Sequence, residues 1–268
     1  MKQIALTFDD GREDNATIAN PILRRYGLNA TLFVTTGYLD HTWARDPRWT
    51  YSGEPMTIDQ LRQLRDGGWE IGLHGDWHRT ALEDWKSALE KLKAWGFDTE
   101  GIGASLPNSR VEEAEIGRIL QALGSRQLSY IRRGRGCDTG KLENKLLFGM
   151  YTWLNSFWAF RRFNRENLMR LPIREPAKLY SVVVRHRDRP EMLLELMDAM
   201  EEDSLCVLML HSILPESHPN YGKEVWNWSD TRFEALCAGL QKRCQEENFT
   251  VGTLKSFVSG ERCGGSLE

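Results

Sequence analysis

The sequence predicts an α/β fold in one domain, and three observations carry that reading. Short apolar runs of strand length alternate with helix-period segments from the first residues onward; Gly, Pro and Thr punctuate them; and no linker, repeat or low-complexity stretch divides the 268 residues. "QIALTF" (3–8) is a buried strand by its continuous apolar character, "NATIANPILRRYG" (15–27) a helix closed by Gly27, and "ATLFVT" (30–35) a second strand, which makes the N-terminus a βαβ unit. "TIDQLRQLRDGG" (57–68) sets a Thr N-cap and a Gly stop around an i, i+3, i+4 apolar pattern. "WEIGLH" (69–74) reads as a strand, and "ALEDWKSALEKLKAWG" (81–96) as a helix with Glu-to-Lys pairs on its wet face. After a less regular middle, "PEMLLELMDAMEE" (190–202) is a helix and "LCVLML" (205–210) the most apolar strand of the chain. "DTRFEALCAGLQKRCQEE" (230–247) is a helix, and "FTVGTLKSFV" (249–258) closes with a strand and a short helix.

Composition bounds the function classes. The chain carries 35 basic against 38 acidic residues and is 41% hydrophobic, so nothing in it demands a nucleic acid. No run approaches the roughly 18 apolar residues of a membrane span, and residues 1–30 lack a basic-then-apolar signal pattern; a cytoplasmic protein is expected. Cys137, Cys206, Cys237, Cys244 and Cys263 are odd in number, without CxxC spacing, and read as reduced thiols. Residues 1–260 are expected to form the domain and 261–268 a tail, with the oligomeric state open.

Chemistry enters with "LTFDDG" (6–11), which sets Asp9 and Asp10 side by side at a strand end. Neighbouring ionised carboxylates raise each other's pKa unless a positive group lies beside them, so the pair asks for a cation. In an α/β barrel, reactive groups collect at the C-terminal ends of strands. Two further strands end in such groups: one in "HGDWH" (74–78), the other in His211 of "VLMLHS". The spacing of His74 and His78 predicts a helical turn with both imidazoles on one side. Two neutral imidazoles and a carboxylate leave coordination positions open for water. One aspartate would then ligate a metal ion while the other stays off it as a base. An imidazolium at His211, on the facing strand, suits protonation of a departing amine.

"LTFDDG", "EIGLHGDWHRT" and "CVLMLHS" resemble the first, second and last motifs of the polysaccharide deacetylase family, carbohydrate esterase family four, which includes chitin and peptidoglycan deacetylases. "ATLFVTTGYL" and "MTIDQLRQLRDGGWEIGLH" resemble its intervening segments, so the likeness covers residues 3–80 well and 200–258 moderately. It implies a deformed (β/α) barrel of the polysaccharide deacetylase type and one divalent metal ion, zinc by preference. Asp10, His74 and His78 would be the ligands, Asp9 the general base and His211 the general acid. The implied reaction removes an N-acetyl group from an amino sugar, oligosaccharide or glycan precursor. Alternatives are a related amidohydrolase acting on a cyclic imide, a ureide or an N-formyl amino sugar, and a degenerate member that binds glycan without turnover.

Two departures from the pattern bear on this. The family's third motif places a base-orienting arginine near "GIGASLPNSR" (101–110), where Ala104 or Ser105 stands instead; Arg110 and Arg132 are the nearby substitutes. Its fourth motif has no counterpart between 137 and 200, and specificity is assigned to 131–200. For sugar binding the aromatic candidates are Trp43, Trp49 and Tyr51 in the long connection 38–55, with Trp226 and Trp228 in "NYGKEVWNWS" (220–229). Each competes with a role in burying its own loop. "IRRGRG" (131–136) and "FRRFNR" (160–165) suit a phosphate, a nucleotide sugar or an acidic glycan, against a solvated face as the default. His41, His186 and His218 read as loop or surface histidines.

Overall fold

The computed structural model describes residues 1–43, 54–109, 113–136, 140–246 and 249–259. The tail 261–268 lies outside these. Eleven strands occur among the described residues: β1 (Lys2–Asp10), β2 (Thr31–Val34), β3 (Glu70–Leu73), β4 (Ile102–Ser105), β5 (Leu128–Arg132), β6 (Leu168–Arg170), β7 (Val182–Val183), β8 (Ser204–Leu210), β9 (Ser212–Leu214), β10 (Asn227–Ser229) and β11 (Phe249–Gly252). The helices between them are α1 (Asn20–Arg25), α2 (Thr36–Leu39), α3 (Ile58–Asp66), α4 (Leu82–Ala94), α5 (Glu113–Gln127), α6 (Leu142–Leu154), α7 (Phe157–Asn164), α8 (Pro190–Asp198), α9 (Asp230–Glu246) and α10 (Leu254–Ser259).

The sheet runs β5-β4-β3-β2-β1-β8-β6, with β7 beside β8 and β11 beside β1; every pairing is parallel except that of β6 with β8. It curls into a half-barrel, as the predicted deformed barrel requires. β1 is its centre. Residues 2–5 pair β11, residues 7–10 pair β2, and the opposite edge pairs β8 from Lys2 to Phe8.

The sequence signals explain most of the elements. Thr57 caps α3 in a reciprocal box: the Gln60 amide donates to its hydroxyl at 3.1 Å, and its own amide donates to Gln60 Oε1 at 2.7 Å. The expected helix 15–27 opens instead with a π-turn, Asn15–Ala19, before α1, and Asn15 is fully buried. Such wide turns occur at functional sites.

Side-chain alternation on β1 decides where chemistry can sit. Ile4, Leu6 and Phe8 enter the large core beneath the helices, whereas Ala5 joins a smaller cluster with Phe33, Tyr130, Leu205 and Val207. Asp9, two steps of two beyond Ala5, therefore shares the face of that smaller cluster. No helix among the described residues is long and apolar enough to cross a membrane.

Candidate active site

Asp9 and Asp10 both lie within β1, not beyond it, and strict alternation would aim them apart. The chain breaks the alternation at its last residue: Asp10 has φ 79° and Gly11 has φ 89°. Aspartate tolerates this region better than most residues do, and strain held at a strand end often marks a functional site. Both carboxylates consequently face His74, whose Nε2 lies 3.6 Å from Asp10 Oδ1 and 4.0 Å from Asp9 Oδ2.

His74 and His78 converge as predicted, but not through a helical turn. Residues 74–78 are irregular, with Gly75 at φ 82° and His78 at φ 53°, and the loop is pinned by Asp84, whose carboxylate accepts from the amides of Asp76, Trp77 and Arg79. A side chain at Gly75 would strike Asp84 Oδ2 at 2.5 Å. The result places His78 Nε2 at 3.8 Å from Asp10 Oδ1, and one donor atom from each of Asp10, His74 and His78 falls within 4.8 Å of the others. Donors about 2.0–2.2 Å from a tetrahedral ion lie roughly 3.3–3.6 Å from one another, so small adjustments would close this set on a divalent metal.

Its chemistry fits too. Ser105 holds His74 Nδ1, with Oγ at 2.6 Å and its carbonyl oxygen at 3.1 Å, and Nδ1–H donation leaves the Nε2 lone pair directed at Asp10. Burial pushes His74 and His78 down to about 4, so both rings are neutral near pH 7, the form a ligand needs. Burial works to raise Asp10, but the Arg12 guanidinium, followed by the nearby histidines, holds it well below the ordinary carboxylate range. Arg12 donates to Asp10 Oδ2 from Nε at 3.2 Å and Nη2 at 3.1 Å, leaving Oδ1 for the histidines. Its Nη1 bonds Ser212 Oγ at 2.8 Å and Glu224 Oε2 at 3.1 Å.

Asp9 takes a different partner. Arg132, at the end of β5 and fully buried, donates from Nη2 to Asp9 Oδ1, and its guanidinium lies 5.2 Å over the Phe33 ring. Asp9 Oδ2 stays on the side of His74 and His211, 4.0 Å from His211 Nε2. Of the two arginines weighed for the third-motif position, Arg132 is the one that pairs with Asp9; Arg110 lies outside the described residues. His211 is the most open member of the set, its side chain 13% exposed, with the ring pushed down to about 4 by burial.

The aromatic candidates divide. Trp43 stacks on His78 at 5.9 Å and 29°, and Trp226 lies over His211 at 5.2 Å and 32°, both half-buried. Trp228 corrects the expectation of a sugar-binding role. It is 1% exposed, donates Nε1–H to the Asp188 carbonyl at 2.8 Å and meets Phe233 edge-on, because it stands inside β10, all of whose residues are buried, whereas Trp226 precedes the strand. Trp49 and Tyr51 lie outside the described residues. His186 and His218 sit in loops, where His186 Nδ1 meets the Asn227 carbonyl and His218 Nδ1 accepts from the Asn220 amide.

Sequence reasoning missed Arg12, Glu224, Asp14 and Ser105. Arg12 had a signal, since it follows Asp10 by two residues. Asp14 had none: its Oδ1 accepts from the Ile213 amide at 2.9 Å and from Asn15 Nδ2 at 3.0 Å, and Asn15 Nδ2 also bonds the His211 carbonyl at 2.8 Å.

A curled α/β half-barrel whose strand ends gather an Asp-His-His cluster, a buried Asp–Arg pair and a facing histidine defines a barrel protein with a metal-capable centre. Residues 1–124 match the family model described as polysaccharide deacetylase, which bears out the resemblance read from the motifs. A curated relative, YxkH of Bacillus subtilis (strain 168), assigned to the polysaccharide deacetylases, is 30% identical over 73 residues, 27% of this chain and 22% of that protein's length. Among solved structures, a family 4 acetyl xylan esterase from Clostridium thermocellum in complex with a cobalt ion is 14% identical at TM-score 0.51, over 96% of this chain and 90% of that one. The Bc1960 peptidoglycan N-acetylglucosamine deacetylase is 12% identical at TM-score 0.52, over 96% and 88%. BA3943 of Bacillus anthracis, a family 4 pseudoenzyme, is 12% identical at TM-score 0.52, over 96% of this chain and 66% of its own length. At these identities the likeness is one of fold.

Proposed function

We propose that this chain is a metal-dependent hydrolase that removes an N-acyl group, N-acetyl first, from an amino sugar or glycan precursor. The observation that carries the reading is the division of labour at the end of β1. Asp10 turns toward two neutral imidazoles while Asp9 is held apart by Arg132, so adjacent carboxylates have different partners.

A divalent ion held by Asp10, His74 and His78, zinc by preference, would supply a water of lowered pKa and an electrophilic contact for the acyl oxygen. The protein's own groups do the rest. Arg132 fixes one Asp9 oxygen and leaves Oδ2 to take the proton of the attacking water. His211 rests without a proton near neutral pH, and Asp9 Oδ2, 4.0 Å away, is placed to pass that proton on to it. The imidazolium so formed gives the proton to the amine nitrogen as the C–N bond breaks, leaving acetate and a free amine. Trp43 and Trp226, lying beside the rings of His78 and His211, would flank the sugar ring. The intact Asp-His-His set and base pair favour turnover over glycan binding alone. We read residues 1–260 as one catalytic domain, and the unpaired Cys206, Cys237 and Cys244 support a reducing, cytoplasmic setting.

The test is acetate and formate release from N-acetyl and N-formyl amino sugars and chito-oligomers, with zinc, cobalt or chelator present. Chelator-sensitive acetate release is the expected result. Release from a cyclic imide alone would transfer the reading to the amidohydrolase alternative.

A further inference from the structure

We propose that the α6–α7 hairpin docks the protein on an anionic lipid surface. α6 leaves Leu142, Leu146, Met150 and Trp153 exposed, at 73, 60, 37 and 77%. Steps of four, four and three residues put them on one face of the helix, an apolar stripe with no covering element among the described residues. Leu154 at the end of α6 and Trp158 at the start of α7 are 72 and 64% exposed. The turn itself is well made: Asn155 closes α6 in the left-handed conformation and Ser156 caps α7 by accepting from the Ala159 amide. The inner faces pack through Phe148, Tyr151, Phe160 and Phe163. The exposed side chains are therefore the outer face of a properly folded hairpin.

Charge identifies the occupant. Residues 141–170 hold six Lys and Arg against Glu143 and Glu166, in a chain whose net charge is −3. α7 exposes Arg161 and Arg162, with Arg165 following it, and a cleft of about 470 Å³ opens between Trp158, these arginines and Arg170. Arg162 and Arg170 reach Glu143 and Glu201, while Arg161 and Arg165 have no ion pair among the described residues. Such a positive face repels its own copy, which disfavours a dimer through this surface. Indole and leucine side chains beside free guanidinium groups match the boundary between acyl chains and anionic headgroups.

The stripe also approaches the candidate active site. Arg187 lies 5.6 Å over the Trp153 ring, and the neighbouring His186 amide bonds the Val225 carbonyl, next to the Trp226 that covers His211. A protein held by this hairpin would meet substrate at the surface it rests on.

Flotation of the full chain with vesicles of phosphatidylglycerol mixed into phosphatidylcholine tests the proposal, with pure phosphatidylcholine as reference. Binding is expected only with the anionic lipid, and high salt should weaken it. Trp153→Ser with Trp158→Ser, and separately Arg161→Glu with Arg165→Glu, should each lower partitioning roughly tenfold or more at an unchanged melting temperature. Absence of binding, equal binding to both vesicles, or indifference to both variant pairs overturns the proposal. Concentration-dependent dimerisation abolished by the tryptophan variants would overturn it in favour of self-association. The readout does not depend on catalysis, so loss of the deacetylase reading would leave it standing.

Discussion

Replacing Arg132 by Met tests the division of labour more directly than any change to a ligand. The Arg132 and Asp9 side chains are 0 and 4% exposed, so neither is screened by water. Met keeps the stem's volume against Phe33 and Met209 while deleting the charge. Removing one partner of a buried pair costs about 3–5 kcal/mol, because the other charge stays desolvated and unpaired. For a chain of this size that is a fall in melting temperature of roughly 6–20 °C. Turnover should fall about a hundredfold or more, since Asp9 loses the contact that orients Oδ2. Metal content should not change, because Asp10, His74 and His78 are untouched. Two further variants separate orientation from charge. Arg132→Lys should recover much of the stability without the turnover, as an ammonium lacks the planar fork. Asp9→Asn combined with Arg132→Met should cost less stability than the two single changes added, because the stranded charge is gone. Arg132→Met with wild-type turnover, or with its metal lost, refutes the assignment of Arg132 to the base.

Asp10→Asn should lower metal occupancy while Asp9→Asn keeps the metal and loses most turnover; equal metal loss in the two variants contradicts the assigned roles. His211→Ala should retain metal and be slowed most on amides, far less on an activated ester whose leaving group needs no proton, so a uniform loss across both argues against an acid role. Trp226→Ala should raise KM with little change in melting temperature, whereas Trp228→Ala should destabilise by about 3–5 kcal/mol; the reverse pattern would return Trp228 to the binding surface. His74, His78 and His211 have folded values lowered to about 4 from 6.5, so the unfolded chain binds more protons between those limits and the histidines' contribution to stability is lost as pH falls from about 6.5 toward 4. Asp14 and Asp188, raised to about 6 from 3.8 by burial, act in the opposite sense over part of that window. In the metal-free protein, His74→Gln with His78→Gln should flatten the acid limb of a melting-temperature profile, and an unchanged limb would show that these rings are not its source.

The strands and most helices were legible because their signals are local: apolar runs, the Thr57 box and glycine stops. Asp9, Asp10, His74, His78 and His211 were legible as motifs, and the structure brings them together. How they converge was not. The His74–His78 spacing suits a helical turn, but Asp84 collects three loop amides and Gly75 supplies a positive φ, a solution written in residues outside the pair. Trp226 and Trp228 looked alike, and only the placement of β10 decides which of them faces the core. Trp43 had no signal tying it to His78, and Trp226 had only its place in the segment after His211, since ring stacking across loops leaves no period in a sequence.

The arginine is the most instructive case, because its apparent absence comes from reading one strand alone. β4 and β5 lie side by side in parallel, with Ser105 in register with Arg132. Arg132 donates to Asp9 from β5, so an ion pair expected from β4 is made here from its neighbouring strand. The exchange also has a use at the vacated position. A short hydroxyl at 105 stands 2.6 Å from His74 Nδ1, where an arginine would have set a second donor against the ring's N–H. Ser105 and Arg132 therefore work as a pair, one orienting the candidate ligand and the other the candidate base. Transplanting the arginine to position 105 in an Arg132→Met background should then restore little turnover, since it would rebuild the base contact while dismantling the hold on His74; full recovery would show that the two positions are independent.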